Sequence, residues 1–280
     1  MFSGGHAPPA TVPVDFSKIS NVLVVRPDRL GDVVLSTPVY ESLKRSFPHL
    51  KITVMVNPIQ AGLLEGNPHL HQIILMRRRR FWRAIRQSRK ENFDLAITLN
   101  KKFSATATFF TLCAGATINT GYRHSQSSWG YNIHLPVESP PCHEIENNLA
   151  LLKHMGVPQI IQQPQIYFND GEKQKIAGII NSNKKARPLI LVKTGTRIPE
   201  WGWKWEKFQI VIENILKNDI ADIWMINGPG EEAELESHIA RMEFKPRLLP
   251  LVKVKELALL MQQCDLIFCN HTGIMHLASA

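Results

Sequence analysis

The 280-residue chain reads as an α/β protein made of two doubly wound halves. Three observations predict this. Short apolar runs of strand length alternate with helical patterns along the chain, and that alternation implies parallel sheets covered by helices on both faces. The alternation falls into two series, separated by a stretch rich in proline, glycine and glutamine. The length suits one large or two medium domains, and a hydrophobic content of 44% supplies a sizeable core.

The opening stretch "MFSGGHAPPATVPVDFSKIS" has no continuous apolar segment of the kind a secretory signal carries, so residues 1–20 read as a flexible leader. Strands are expected at Val22–Val25, Ile52–Val56, Ile73–Met76 and Leu95–Leu99, giving a first domain over 21–158. The stretch "HMGVPQIIQQPQIYFNDGEK" holds two prolines, two glycines and four glutamines, and the linker is placed in it at 159–171. A second domain over 172–280 carries strands at Leu189–Val192, Ile223–Ile226, Leu248–Leu251 and Leu266–Cys269. Its clearest helix runs from Glu206 to Lys217, with Phe208, Val211, Ile212, Ile215 and Leu216 on one face. The last residues start a helix with no C-cap and no following strand, so the second domain is expected to be incomplete. Doubly wound sheets bind ligands at the carboxyl ends of their strands, so a cleft is expected between the domains.

Composition narrows the partners. A formal charge of +9 favours an anion: nucleic acid, a membrane surface or a phosphorylated substrate. The four cysteines form no C-x-x-C pair and read as free thiols of a reducing cytoplasm. No apolar run reaches the length of a membrane span. A Rossmann dehydrogenase is disfavoured because no G-x-G-x-x-G follows a strand. For a nucleic-acid-binding module there is no helix-turn-helix, zinc or RNA-recognition signature.

Four turns carry chemistry. In "RPDRLGDVVLSTP" the first strand breaks at Gly31 and Asp32 follows at once. An acid there serves either as a first-turn cap or as a general base exposed at the strand end. In "LVKTGTRIPEWGWKWEKF" Thr194, Thr196 and Lys204 offer hydroxyls and a cation beside a helix start, a plausible diphosphate site; the plain alternative is a structural loop with packed tryptophans. In "NGPGEEAE" either Glu231 or Glu232 stands where an acid accepts from a ribose, or simply faces the helix dipole. In "NHTGIMHLASA" Thr272 and Gly273 open a helix, with His271 before them and His276 one turn in. Separately, "MRRRRFWRAIRQSRK" reads as a helix with Arg79, Arg83, Arg86 and Lys90 on one side and Phe81, Ala84, Ile85 and Ser88 facing another way. That side is either a solvated surface or one that meets an anionic membrane or a phosphorylated acceptor.

The order of these motifs resembles glycosyltransferase family 9, the bacterial lipopolysaccharide heptosyltransferases. The likeness is carried by "RPDRLGDVVLSTPVYESLKRSFP", "NFDLAITLN", "TGYR", "HEIENNLALLKHMGV", the Lys204-Trp205 step and "TGIMHLASA", the first and last being the specific ones. The resemblance implies a GT-B fold of two Rossmann-like domains, truncated here at the C-terminus. It implies inverting, metal-independent transfer of a sugar, most often heptose from ADP-heptose, onto a lipopolysaccharide core acceptor. Asp32 matches the catalytic base. Thr194, Thr196, Lys204, Glu231, His271, Thr272, Gly273 and His276 fall on the donor side. His271 stands where many members carry Asp, which leaves the sugar open. The expected partners are a nucleotide sugar, a lipid-linked saccharide and the anionic inner-membrane surface, met through Arg79, Arg83, Arg86 and Lys90. No cofactor and no nucleic acid are expected. The expected location is cytoplasmic, peripheral on the inner face of the inner membrane. The rival readings are a basic nucleic-acid-binding protein and a catalytically inactive nucleotide-binding relative of the same fold.

Overall fold

A computed structural model describes residues 9–126, 130–137, 142–181, 187–196 and 198–280. The chain divides into two compact units, Met1–Tyr167 and Phe168–Ala280, and the division falls inside the stretch expected to link two domains.

In the first unit, strand β1 (Asn21–Val25) leads through a tight turn into the short helix α1 (Leu30–Val34) and then α2 (Thr37–Ser46). Pro38 lies in the first turn of α2, where its missing N–H costs nothing. The chain continues through β2 (Lys51–Val56), α3 (Pro58–Leu64), β3 (Gln72–Leu75), α4 (Phe81–Lys90), β4 (Leu95–Thr98), α5 (Ala105–Ala114), β5 (Ile118–Arg123), β6 (Ile133–Pro136) and α6 (Glu144–His154). The six strands form one sheet in the order β3-β2-β1-β4-β5-β6, with every pairing parallel. Val22, Leu23, Val24 and Val25 are fully buried, as a central strand covered on both faces requires. The winding reverses between β1 and β4, which makes the carboxyl ends of those two strands the switch point of the sheet. Strands β5 and β6 were not expected. Polar residues and Gly121 break their apolar pattern, and pairing along the sheet supplies what local sequence does not.

Two expectations about the unit's ends need correction. The leader, read as loose to residue 20, packs in its later part: Val14, Phe16 and Ile19 are buried, and Phe16 stacks on Phe47 at 4.2 Å. Its residues 1–8 lie outside the described residues. The glutamine-rich stretch is held along α2. The backbone N–H groups of Gln159, Ile161 and Gln165 donate to the hydroxyls of Ser46, Ser42 and Thr37 at 2.9–3.0 Å. Side-chain hydroxyls thus satisfy backbone groups that a polar composition would leave to water.

The second unit runs through α7 (Asp170–Asn181), β7 (Leu189–Lys193), α8 (Trp205–Lys217), β8 (Asp222–Met225), α9 (Glu232–Ala240), β9 (Arg247–Leu248), α10 (Val254–Met261), β10 (Leu266–Cys269) and α11 (Gly273–Ala278). Its parallel sheet has the order β10-β7-β8-β9. Phe208 and Ile212 of α8 bury their side chains against Val192, Ile223 and Met225. Strand β9 covers Arg247–Leu248 rather than Leu248–Leu251, because Pro250 has no N–H to give to a ladder. Among the described residues no helix is long and apolar enough to cross a membrane.

Candidate functional site

The first unit gathers charge at its switch point. Arg26, the residue after β1, is 2% exposed, and its guanidinium meets three carboxylates. Nη2 lies 2.7 Å from Glu144 and 3.4 Å from Asp32, and Nε lies 3.3 Å from Asp28. Asn100, two residues beyond β4, donates to Asp28 at 2.6 Å. A buried guanidinium is tolerated only when paired, and here acids outnumber it. Burial pushes the Asp28 carboxyl above its ordinary value despite the pull of Arg26, and the neighbouring Asp32 and Glu144 push the same way.

Asp32 has the position of a first-turn cap and remains partly open to solvent. It sits in the first turn of α1, and its Oδ2 accepts the Arg29 N–H at 3.3 Å, as a capping acid does. Its side chain is still 36% exposed at the strand end, with Oδ1 turned to Arg26. The sequence reading missed Arg26, Asp28, Asn100 and Glu144. The available signal was a charged residue ending a fully apolar strand, as in "VLVVRPD". A pocket of about 690 Å³ opens beside Asp28, with Asn57, Arg77, Phe81, Ser104 and Phe109 among its walls.

In the second unit the carboxyl ends of β7, β8 and β10 converge. Lys193 ends β7, is 7% exposed, and donates to Glu231 Oε2. The same oxygen accepts the Gly228 N–H at 2.8 Å. Burial would raise the Glu231 pKa, but the Lys193 ammonium and the Gly228 N–H together hold it below the ordinary glutamate value. Between the two chains lies Gly195. A Cβ there would meet the carboxylate end of Glu231 and the ammonium end of Lys193, so any larger residue would make these two side-chain ends shift. Glu232 instead points out, exposed, in the first turn of α9. The geometry therefore separates the two candidate acids.

Asn270 is the second organiser that sequence reasoning missed. It is 7% exposed and donates through Nδ2 to the Thr194 carbonyl at 2.6 Å, while its Oδ1 accepts the Trp203 N–H at 2.8 Å. It therefore ties both ends of the loop between β7 and α8 to the end of β10. Thr194 and Thr196 are half-buried in that loop. Lys204 is exposed at the N-cap of α8 and has no ion pair among the described residues. Trp203 packs edge-on against Phe208 and Phe268, the structural role the sequence allowed for. Thr272 caps α11, accepting the Ile274 N–H at 3.3 Å, and Gly273 is that helix's first residue. His271 is exposed, with its ring edge-on to His276 at 6.3 Å.

The basic stretch differs from the expected single helix. Arg79 lies in a separate 3-10 turn, Arg78–Arg80, and α4 begins only at Phe81. Arg83, Arg86 and Lys90 are exposed on one face of α4, while Ala84, Ile85 and Ser88 are buried. Among the described residues no cluster of three or more metal-ligating side chains occurs.

Two all-parallel α/β units, each with polar side chains at the carboxyl ends of its strands, are the architecture of the GT-B fold. The profile of Glycosyltransferase family 9 (heptosyltransferase) matches residues 78–280. Lipopolysaccharide heptosyltransferase 3 of Escherichia coli is 22% identical over 264 residues, covering 89% of this chain and 77% of the relative. A family 9 glycosyl transferase from Veillonella parvula superposes with a TM-score of 0.81 at 20% identity, over 99% of this chain and 79% of that one. The ADP-heptose lipopolysaccharide heptosyltransferase II of Escherichia coli superposes with a TM-score of 0.77 at 23% identity, over 92% and 81%. The chain belongs to glycosyltransferase family 9, and glycosyl transfer is its class of chemistry.

Proposed function

We propose that the chain transfers a heptose from ADP-heptose onto a lipopolysaccharide core saccharide, in one inverting, metal-independent displacement. The observation that carries this reading is Asp32, half-open at the switch point of the first sheet in a family 9 chain. The names of the relatives supply the sugar and the acceptor class.

In this reading Asp32 takes the proton of the acceptor hydroxyl as its oxygen attacks the anomeric carbon. The bond from that carbon to the diphosphate breaks with its electron pair, and ADP leaves. The transition state is oxocarbenium-like, and the departing diphosphate gains charge. Lys204 with its exposed ammonium, the hydroxyls of Thr194 and Thr196, and the backbone at Thr272–Gly273 are the groups assigned to that charge. Lys193 is already neutralised by Glu231, so its part is to hold Glu231 in place. Glu231 Oε1 is then assigned to the ribose. His271 and His276 take the sugar side of the donor. The acceptor is lipid-linked, so the work is placed at the cytoplasmic face of the inner membrane, with Arg79, Arg83, Arg86 and Lys90 toward its anionic surface.

A thermal-shift panel with ADP, UDP, GDP and NAD tests the donor. ADP-selective stabilisation supports the reading, and no response to any of them removes it. Transfer unaffected by EDTA checks metal independence. His271→Asp is expected to change the choice of nucleotide sugar more than the affinity for ADP alone, since a neutral imidazole accepts through one nitrogen only where a carboxylate accepts through two oxygens. Donor competition assays on both proteins measure it.

A further inference from the structure

We infer that Arg77–Lys90 is a docking surface for an anionic phospholipid bilayer, with Trp82 as the side chain that enters the lipid interface. This rests on the reading above, in which the acceptor is lipid-linked, and adds to it the anchor and the mode of contact.

The first observation is Trp82 itself. It is 69% exposed, on a helix whose opposite face, Ala84, Ile85 and Ser88, is firmly buried. A tryptophan left in water beside a well-packed helix face is not a core residue. At helical spacing it shares its side with Arg86 and Arg89, four and seven residues on. Arg86 and Arg89 therefore lie beside the indole along the helix, an exposed aromatic next to cations of the kind that suits a membrane interface.

The second observation is charge without compensation. From Gln72 to Lys90 the sequence has seven arginines, one lysine and no acid. Arg77, Arg79, Arg80, Arg83, Arg86, Arg89 and Lys90 are all exposed, and none forms an ion pair among the described residues. Elsewhere the first unit does pair an exposed arginine, as with Arg45 and Glu41 at 2.7 Å. A cationic field left open in this way is complementary to a sheet of phosphates.

The third is continuity with the candidate acceptor side. Trp82 packs on Phe81 with ring centroids 4.3 Å apart, and Phe81 lies edge-on to the half-exposed Phe109 at 6.2 Å. Phe81, Phe109 and Arg77 are also walls of the pocket that reaches Asp28. One aromatic row therefore runs from the exposed indole into that pocket. A lipid-linked saccharide would have its anchor at the surface and its sugar beside the catalytic unit. An exposed aromatic among arginines also suits single-stranded nucleic acid, but that mode uses a groove with several stacking platforms, whereas here one indole projects from a helix face.

The test uses the full chain and vesicles of phosphatidylcholine, alone or mixed equally with phosphatidylglycerol. Flotation is expected to show binding to the anionic vesicles only. Replacing Arg79, Arg83 and Arg86 together by Gln should weaken it about a hundredfold, taking each basic residue as roughly a fivefold factor. Trp82→Ala should weaken it several-fold. Brominated lipid should quench tryptophan emission in the wild type, and Trp82→Phe should remove that quenching. Unchanged flotation in both the arginine and Trp82→Ala variants, or quenching that survives Trp82→Phe, overturns the proposal. So does tighter binding to single-stranded RNA than to anionic vesicles, lost in the same variants. Thermal midpoints confirm that the variants fold. The ADP response separates the two readings: its absence with lipid binding intact sinks the sugar-transfer reading alone, and the reverse sinks the docking surface alone.

Discussion

Arg26 is met by three carboxylates at the switch point of the first sheet, and two of these acids carry separate predictions. Asp32 retains the exposure a proton acceptor needs. Asp32→Asn is expected to slow transfer by about 10²–10⁴-fold with ADP stabilisation intact, the usual cost of losing a general base; initial rates and thermal shift on the same preparations check it. Asp28 carries a different prediction. Its carboxyl titrates higher folded than unfolded, so the folded chain binds more protons between those two values, and stability rises as pH falls through that window. Asp28→Asn should therefore raise the melting temperature at neutral pH and lose that advantage in acid. Glu231 has the opposite sign. Its lowered value means a contribution present above the ordinary glutamate range and lost as pH falls through the folded value. Glu231→Gln should cost about 1–2 kcal/mol at neutral pH, less than breaking a fully buried pair because Glu231 keeps 40% of its side-chain surface. Melting curves from neutral to acid pH would show whether the two variants diverge in these directions.

The segment from β7 through its loop to α8 is the element on which the donor reading depends. Strand and helix are each stable by burial, but the loop is held by Asn270 and by the room left at Gly195. Gly195→Ala brings its methyl against the ends of the Lys193 and Glu231 side chains, which must shift to admit it, so a cost of about 1 kcal/mol is expected, the low end for overpacking. It should also weaken ADP binding, whereas Lys204→Ala should weaken ADP binding about tenfold or more with no loss of stability, since that lysine is exposed. Calorimetric titration beside a melting curve distinguishes the two. Equal ADP affinity in wild type and Lys204→Ala would remove Lys204 from the site.

Each of the two compact units has its own core, one around Leu23, Met55 and Ile74 and the other around Val192, Phe208 and Met225. Separate cores make a single all-or-none transition unlike what scanning calorimetry should record. Phe208→Ala is expected to lower one transition, at a cost of about 3–5 kcal/mol, and Leu23→Ala the other, at about 2–5 kcal/mol. ADP should raise only the transition that Phe208→Ala lowers. A single transition moved equally by both variants would show that the units unfold as one.

The sequence by itself determined the class of fold, most of the strands and the positions of the chemical turns. Apolar runs such as "NVLVV" and "LILVK", and the helical face from Phe208 to Leu216, are local patterns whose burial needs no knowledge of neighbours. It also located Asp32, through a glycine-acid step that a strand-to-helix turn makes visible. Only the tertiary structure decided what these residues face. Arg26 and Glu144 are 118 positions apart, and Lys193 and Glu231 are 38 apart. A charge that ends a strand announces that it needs a partner, but parallel pairing chooses the partner by bringing distant strand ends to one edge. The same holds for β5 and β6, which the sheet recruits in spite of weak patterns, and for the glutamine-rich stretch, which the hydroxyls of α2 hold. Local pattern fixes which side chains are apolar. Long-range register fixes which polar groups meet, and the candidate site consists of such meetings.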